Sequence, residues 1–179
     1  MVRVPVIGDG SCWFHSIVRG FSRCYIEKQV IDATTKEKQP IDRGQFIQGL
    51  RNELADKLAM PINPDDPKSK TYYQCLSRGN LEDFSKGYPN SSMEFMQKEL
   101  RSGNAVDNIY HEYVSNCLNR DIYLLDMNTQ DVYIMGDDMD LYYKGRGSVV
   151  ILVTPGHYDL VGVISSETNH VNSHFTLIV

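Results

Sequence analysis

The sequence predicts an α+β fold, three-layer and α/β-like, with a central, mostly antiparallel sheet packed between helices. Helical periodicity dominates the first two thirds of the chain, one extended segment precedes it, and from Arg120 onward the period becomes extended. Residues 148–153 form a continuous apolar run rich in β-branched side chains, the pattern of a buried central strand. At 179 residues the chain fits one domain, residues 1–179, with a single core. Its 41% hydrophobic and 23% charged residues are ordinary globular values.

At the N-terminus Val2, Val4 and Val6 alternate with Arg3 and Pro5, and Gly8-Asp9-Gly10 breaks the extended pattern. Trp13, Phe14, Ile17, Val18, Phe21 and Cys24 then recur at helical spacing, so Cys12 sits in the first turn of a helix. Unpaired N–H groups and the positive end of the helix dipole stabilise a thiolate there, which predicts a Cys12 pKa below that of a free thiol. The backbone N–H groups of Asp9, Gly10 and Cys12 are the natural donors to a developing oxyanion. The local pattern equally fits a small buried hydrophobe after an ordinary Asp-Gly turn.

Residues 26–41 read as the end of this helix and a surface connection. Asp42 with Gln45 resembles a capping box, followed by the stripe Phe46, Ile47, Leu50, Leu54 and Leu58, which Met60-Pro61 ends. Residues 63–70 are a loop and 71–88 hold one or two short helices. Ser91 or Ser92 caps a helix with Met93, Met96 and Leu100 on one face. Residues 104–118 predict a helix with Val106, Ile109, Tyr110, Tyr113, Val114 and Cys117 inward and His111 in solvent. Residues 122–127 and 132–135 flank a hairpin loop. Residues 136–140 lack the ligand spacing of a calcium loop and read as a solvated turn, 141–143 as a short strand and 145–147 as a turn. Residues 160–164 are apolar, 165–173 polar with His170 at the surface, and 174–179 read as a final strand.

Thr154-Pro155-Gly156 turns the chain into a strand that begins at His157. Residues two apart on a strand share a face, so His157 and Asp159 lie side by side. A carboxylate beside an imidazole fixes its tautomer and stabilises the imidazolium. A cysteine followed much later by a histidine with an adjacent acid is the order of a cysteine hydrolase. His174, with Asn172 two residues before it, is an alternative base; His157 is preferred for its carboxylate and its place after the strongest strand.

Gly8-Asp9-Gly10-Ser11-Cys12-Trp13-Phe14 resembles the Asp-Gly-x-Cys nucleophile motif of the ovarian-tumour (OTU) cysteine proteases. Gly156-His157-Tyr158-Asp159 resembles that family's C-terminal His motif in its otubain form, Leu50-Arg51 a Leu-Arg element of its second conserved helix, and residues 102–126 the helix-strand unit before the catalytic His. The resemblance implies an OTU-type fold and a deubiquitinase that cleaves the isopeptide or peptide bond after ubiquitin's C-terminal glycine through a thioester. By position it implies Cys12 as nucleophile, His157 as base, Asp159 as its orienter and Asp9 near the oxyanion site. Two departures stand out: His15 replaces a frequent arginine, and the Gly-rich element with Trp is only Ser102-Gly103-Asn104. A ubiquitin-binding module without turnover and a protease for a ubiquitin-like modifier are the rival expectations. Ubiquitin or polyubiquitin is the expected partner and a monomer the expected state.

A net charge of −5 and a pI near 5.5, without a Lys/Arg stripe, argue against nucleic acid as partner. Cys12, Cys24, Cys75 and Cys117 form no metal-ligand spacing, so neither a metal nor another cofactor is expected. Cys24 and Cys117 fall on expected apolar helix faces rather than in disulfide positions. No signal peptide or long apolar run points to a membrane. A reducing, cytoplasmic setting is expected, or a host cytosol or nucleus were the source a virus or intracellular bacterium. The nucleophile's place so near the start suits a catalytic domain excised from a longer protein.

Overall fold

The computed structural model describes residues 1–129, 131–134, 144–165, 167–168 and 171–172. The alternating valines form β1 (Val2–Val4), and the break at Gly8-Asp9-Gly10 leads into α1 (Cys12–Arg19). Then come α2 (Arg23–Glu27), β2 (Gln29–Ile31), β3 (Lys38–Pro40) and α3 (Arg43–Lys57). A 3₁₀ segment (Tyr73–Gly79), α4 (Leu81–Phe84), a second 3₁₀ turn (Pro89–Ser91), α5 (Met93–Ser102) and α6 (Ile109–Leu118) follow. The strands β4 (Arg120–Asp126), β5 (Val132–Ile134), β6 (Gly147–Thr154), β7 (His157–Ile164) and β8 (Val171–Asn172) follow.

The main sheet runs β1-β7-β6-β4-β5, with β8 paired to the far end of β7. Among the described residues only β4 and β6 pair in parallel, and the other pairings are antiparallel. Strand alternation splits the core. Ile122, Leu124, Val149, Ile151 and Leu160 face a large cluster built with Trp13, Phe14, Ile17, Val18, Leu54, Met96, Leu100 and Tyr113. Tyr123, Val150, Leu152 and Val161 form a smaller cluster on the opposite face. This is the predicted α+β arrangement with a mostly antiparallel sheet. The central run is β6, whose Val149 to Leu152 are all buried.

Several local expectations are corrected. Ser22 accepts from the Tyr25 N–H and restarts the chain as α2 after Arg19, so the helical phase does not reach Cys24, which is exposed. Cys117 is half-buried. The connection at residues 26–41 contains a hairpin, β2 against β3. Its polar composition hid short strands that carry almost no buried face. The helix expected from residue 104 begins at Ile109. His111 is buried rather than solvated, because residues 110–115 of α6 are buried all round, and its ring stacks on Trp13 at 4.3 Å. The capping calls hold: Asp42 accepts from the Gln45 N–H at 2.8 Å, and Ser92, not Ser91, caps α5. The expectations for residues 136–143 and 174–179, and for His170 and His174, lie outside the described residues.

Burial holds the His111 imidazole down to about 4. In the unfolded chain an imidazole titrates near ~6.5. Between those values the unfolded state binds more protons, so this contribution is fully present above the unfolded value and is lost as pH falls toward the folded one. The loss approaches about 1.4 kcal/mol per pH unit within that window. Urea unfolding of His111→Phe, which keeps a ring against Trp13, should lose less stability between pH 6.5 and pH 4.5 than wild type; equal slopes would contradict this account.

Candidate active site

A groove of about 810 Å³ runs between the start of α1 and the turn joining β6 to β7. Gly8, Asp9, Gly10 and Cys12 form one wall, Val153 to Tyr158 the other, with Ala105, Asp126 and Asn128 at the rim. The second wall exists because Pro155-Gly156 makes a two-residue turn, with Thr154 paired to His157 across it. Proline supplies the fixed φ of its first corner and Gly156 the second, at φ 73°.

Cys12 is the first residue of α1 and is buried, and its N–H donates to the Asp9 carbonyl at 3.1 Å. The expectation of a depressed thiol pKa is corrected. Burial pushes the Cys12 thiol above its ordinary value and the Asp9 charge adds to this, outweighing N–H groups of Tyr158, Trp13 and Cys12 that favour the thiolate. Burial thus favours the protonated form of the Cys12 thiol. The Cys12 N–H, one of three expected oxyanion donors, is engaged within its own turn. The Asp9 and Gly10 N–H groups have no hydrogen-bond partner among the described residues, and both residues line the groove.

His157 lies across the groove, half-buried, with Nε2 3.1 Å from Asp159 Oδ1. Asp159 is fully buried. Burial opposes its charge, but the Val6 N–H, the Arg3 guanidinium and His157 together hold its carboxyl below the ordinary value. An ionised carboxylate only accepts, so Nε2 carries the imidazole proton and Nδ1 is left with its lone pair. Gly8 runs beside that edge of the ring: a Cβ there would sit 3.9 Å from Nδ1.

Asp9 holds the turn on the other wall. Its Oδ1 accepts from the Ser11 N–H at 2.7 Å, and its Oδ2 accepts from His15 Nε2 at 3.2 Å. His15 is fully buried; burial lowers its pKa, so it is a neutral ring that donates to Asp9 and accepts from the Tyr25 hydroxyl through Nδ1. Tyr25, invisible as a site residue in the sequence, thus anchors the Gly8–Cys12 turn from α2.

Arg51, flagged in the sequence only as part of a Leu-Arg pair, is fully buried beneath the same turn. Its Nε donates to the Leu100 carbonyl (2.7 Å), one terminal nitrogen to Ser11 Oγ (2.7 Å), and the other to the Glu99 and Asn104 carbonyls (3.0 and 2.8 Å). The guanidinium lies 4.7 Å over the Phe14 ring. It caps the C-terminus of α5, where the helix dipole favours a cation, and ties that end to the nucleophile turn. Gly10 is required by this closeness: a Cβ there would come within 2.5 Å of the Gly103 carbonyl oxygen.

Among the described residues no group of three or more His, Cys, Asp or Glu is placed to hold a metal ion, and no helix is long and apolar enough to cross a membrane.

Arg51→Ala leaves the buried Leu100 carbonyl and the part-buried Glu99 and Asn104 carbonyls without their donor and should cost about 3–5 kcal/mol, lowering Tm on the order of 10 °C. Arg51→Lys keeps the charge but not the planar fork and should recover less than half of that. Thermal unfolding of the two variants checks it; a loss under ~1 kcal/mol in Arg51→Ala would refute the clamp.

No protein-family profile and no curated protein matches the sequence. Among the solved structures similar in fold are the following two. One is an ovarian tumour (OTU) domain in complex with ubiquitin: 17% identity, TM-score 0.51, covering 88% of this chain and 67% of that one. The other is the OTUD1 OTU domain: 16% identity, TM-score 0.50, covering 88% and 83%. At this identity the likeness speaks to architecture, and in architecture the chain has the fold of the OTU domains.

Proposed function

We propose that the chain is a cysteine-type deubiquitinase that cleaves the isopeptide or peptide bond after the C-terminal glycine of ubiquitin. The observation that carries this is one groove with a buried cysteine at a helix start on one wall and, on the other, a histidine whose Nε2 is held by a buried carboxylate. The OTU fold supports the substrate class, since one of the similar domains is a complex with ubiquitin.

Chemically, His157 Nδ1 removes the Cys12 proton as the sulfur attacks the glycyl carbonyl carbon. A protonated resting thiol makes this proton transfer part of the acylation step. The oxyanion accepts from the Asp9 and Gly10 N–H groups; the Cys12 N–H joins them only by leaving the Asp9 carbonyl. Collapse expels the lysine amine with the proton from His157 and leaves a thioester on Cys12. Water, deprotonated by His157, then releases the glycine carboxylate. Asp159 holds the Nε2–H tautomer and stabilises the imidazolium in both half-reactions. Asp9 is proposed as a support for the turn and a backbone donor. A reducing compartment such as the cytosol suits a catalytic thiol of this kind.

Ubiquitin bearing an electrophile at its C-terminus should form one covalent adduct, on Cys12. Cys12→Ala should form none, His157→Ala should react on the order of 100-fold or more slowly, and Asp159→Ala should retain partial reactivity. Adduct formation that survives loss of His157 but not of His174 would move the base to His174. Binding of ubiquitin without any adduct in wild type would favour a ubiquitin-binding module instead.

A further inference from the structure

We propose that Arg3 is a positioning residue of this site, a fourth member that acts through Asp159 on His157. This rests on the assignment of Cys12, His157 and Asp159 given above. The register of the β1/β7 pair places Arg3 opposite Val161. Asp159 is therefore its diagonal neighbour on the same face, within reach of a long side chain. Arg3 Nε donates to Asp159 Oδ2 at 2.5 Å. The other carboxylate oxygen, Oδ1, accepts from the Val6 N–H at 3.0 Å and from His157 at 3.1 Å. One strand and the residues just after it thus supply two of the three donors that fix the carboxylate plane.

The pairing matters because its partners differ in exposure. The Arg3 side chain is 57% exposed and the Asp159 side chain 0%. An exposed arginine gains little from such a contact for itself. The buried carboxylate would otherwise keep one oxygen without a donor, and burial favours its neutral form. A neutral acid holds the Nε2–H tautomer less firmly. Loss of the cation thus shifts Asp159 toward its neutral form, and an activity that needs this carboxylate ionised has its acid limb moved to higher pH.

The other charged groups around this pair are few among the described residues. His157 shares its strand, and Arg19 of α1 senses the Asp159 charge while donating to the Pro5 carbonyl at 2.7 Å. On the β6 side Asp159 is paired with Leu152, which does not titrate.

The test compares wild type with Arg3→Gln and Arg3→Lys in two measurements. One is the pH profile of kcat/KM for a ubiquitin C-terminal fluorogenic amide. The other, free of substrate, is the pH titration of the Asp159 carboxyl by ¹³C NMR. In Arg3→Gln the acid limb should rise by about half a pH unit or more and the Asp159 midpoint by about one unit. kcat should fall several-fold while KM changes less than about twofold. Arg3→Lys should restore both midpoints. If the Asp159 midpoint moves but the acid limb does not, the ion pair is merely structural and the proposal fails. It fails equally if neither moves. If wild type does not turn over the amide while the Asp159 midpoint still moves in Arg3→Gln, the deubiquitinase assignment falls and the control of Asp159 by Arg3 stands.

Discussion

The buried guanidinium of Arg51 is the interaction on which the site depends. It stands where α3, the C-terminus of α5, residues 103–105 and the start of α1 converge, and its donors reach three backbone carbonyls and the Ser11 hydroxyl. Ser11 precedes α1 yet makes no side-chain cap of its own; the hydroxyl is engaged at long range instead. Local helix capping is thereby exchanged for a tie between the nucleophile turn and the helical layer. Gly10 against Gly103 closes the same junction by shape alone.

The opposite wall is built by different means. β7 is held on both sides, by β6 and by β1, so His157 and Asp159 project from a strand whose register is fixed. Each wall also carries its own carboxylate with its own partner. Asp159 is buried and faces Arg3 and His157, whereas Asp9 faces His15 held by Tyr25. Burial favours the protonated Cys12 thiol, so the helix-start placement alone does not lower its pKa. In the proposed reaction, activation is left to the imidazole across the groove, and its orientation is the controlling variable.

What was legible in the sequence follows from range. The strand at Val2, Val4 and Val6, the capped α3, the buried β6 run and the turn at Pro155-Gly156 are written in short-range patterns. His157 and Asp159 were placed side by side by strand alternation alone. The short β2–β3 hairpin escaped because its strands bury almost nothing, and α6 hid His111 because a helix buried all round has no polar face to mark. The pKa direction of Cys12 was missed because desolvation depends on what packs over the sulfur, which no local motif records. Arg3, Tyr25 and Arg51 act across 156, 10 and 40 residues of sequence respectively, through Asp159, His15 and Ser11, and only the fold brings those partners together.

The central claim is that this groove hydrolyses the C-terminus of a folded modifier rather than peptides in general. The most direct measurement compares kcat/KM for a fluorogenic amide at the C-terminus of intact ubiquitin with that for an unstructured peptide carrying the same last residues. The account predicts cleavage of the intact modifier at least ~100-fold more efficiently, because binding energy from the remote folded surface is used at the reacting carbonyl. Equal cleavage of both, or cleavage of the peptide alone, would contradict it.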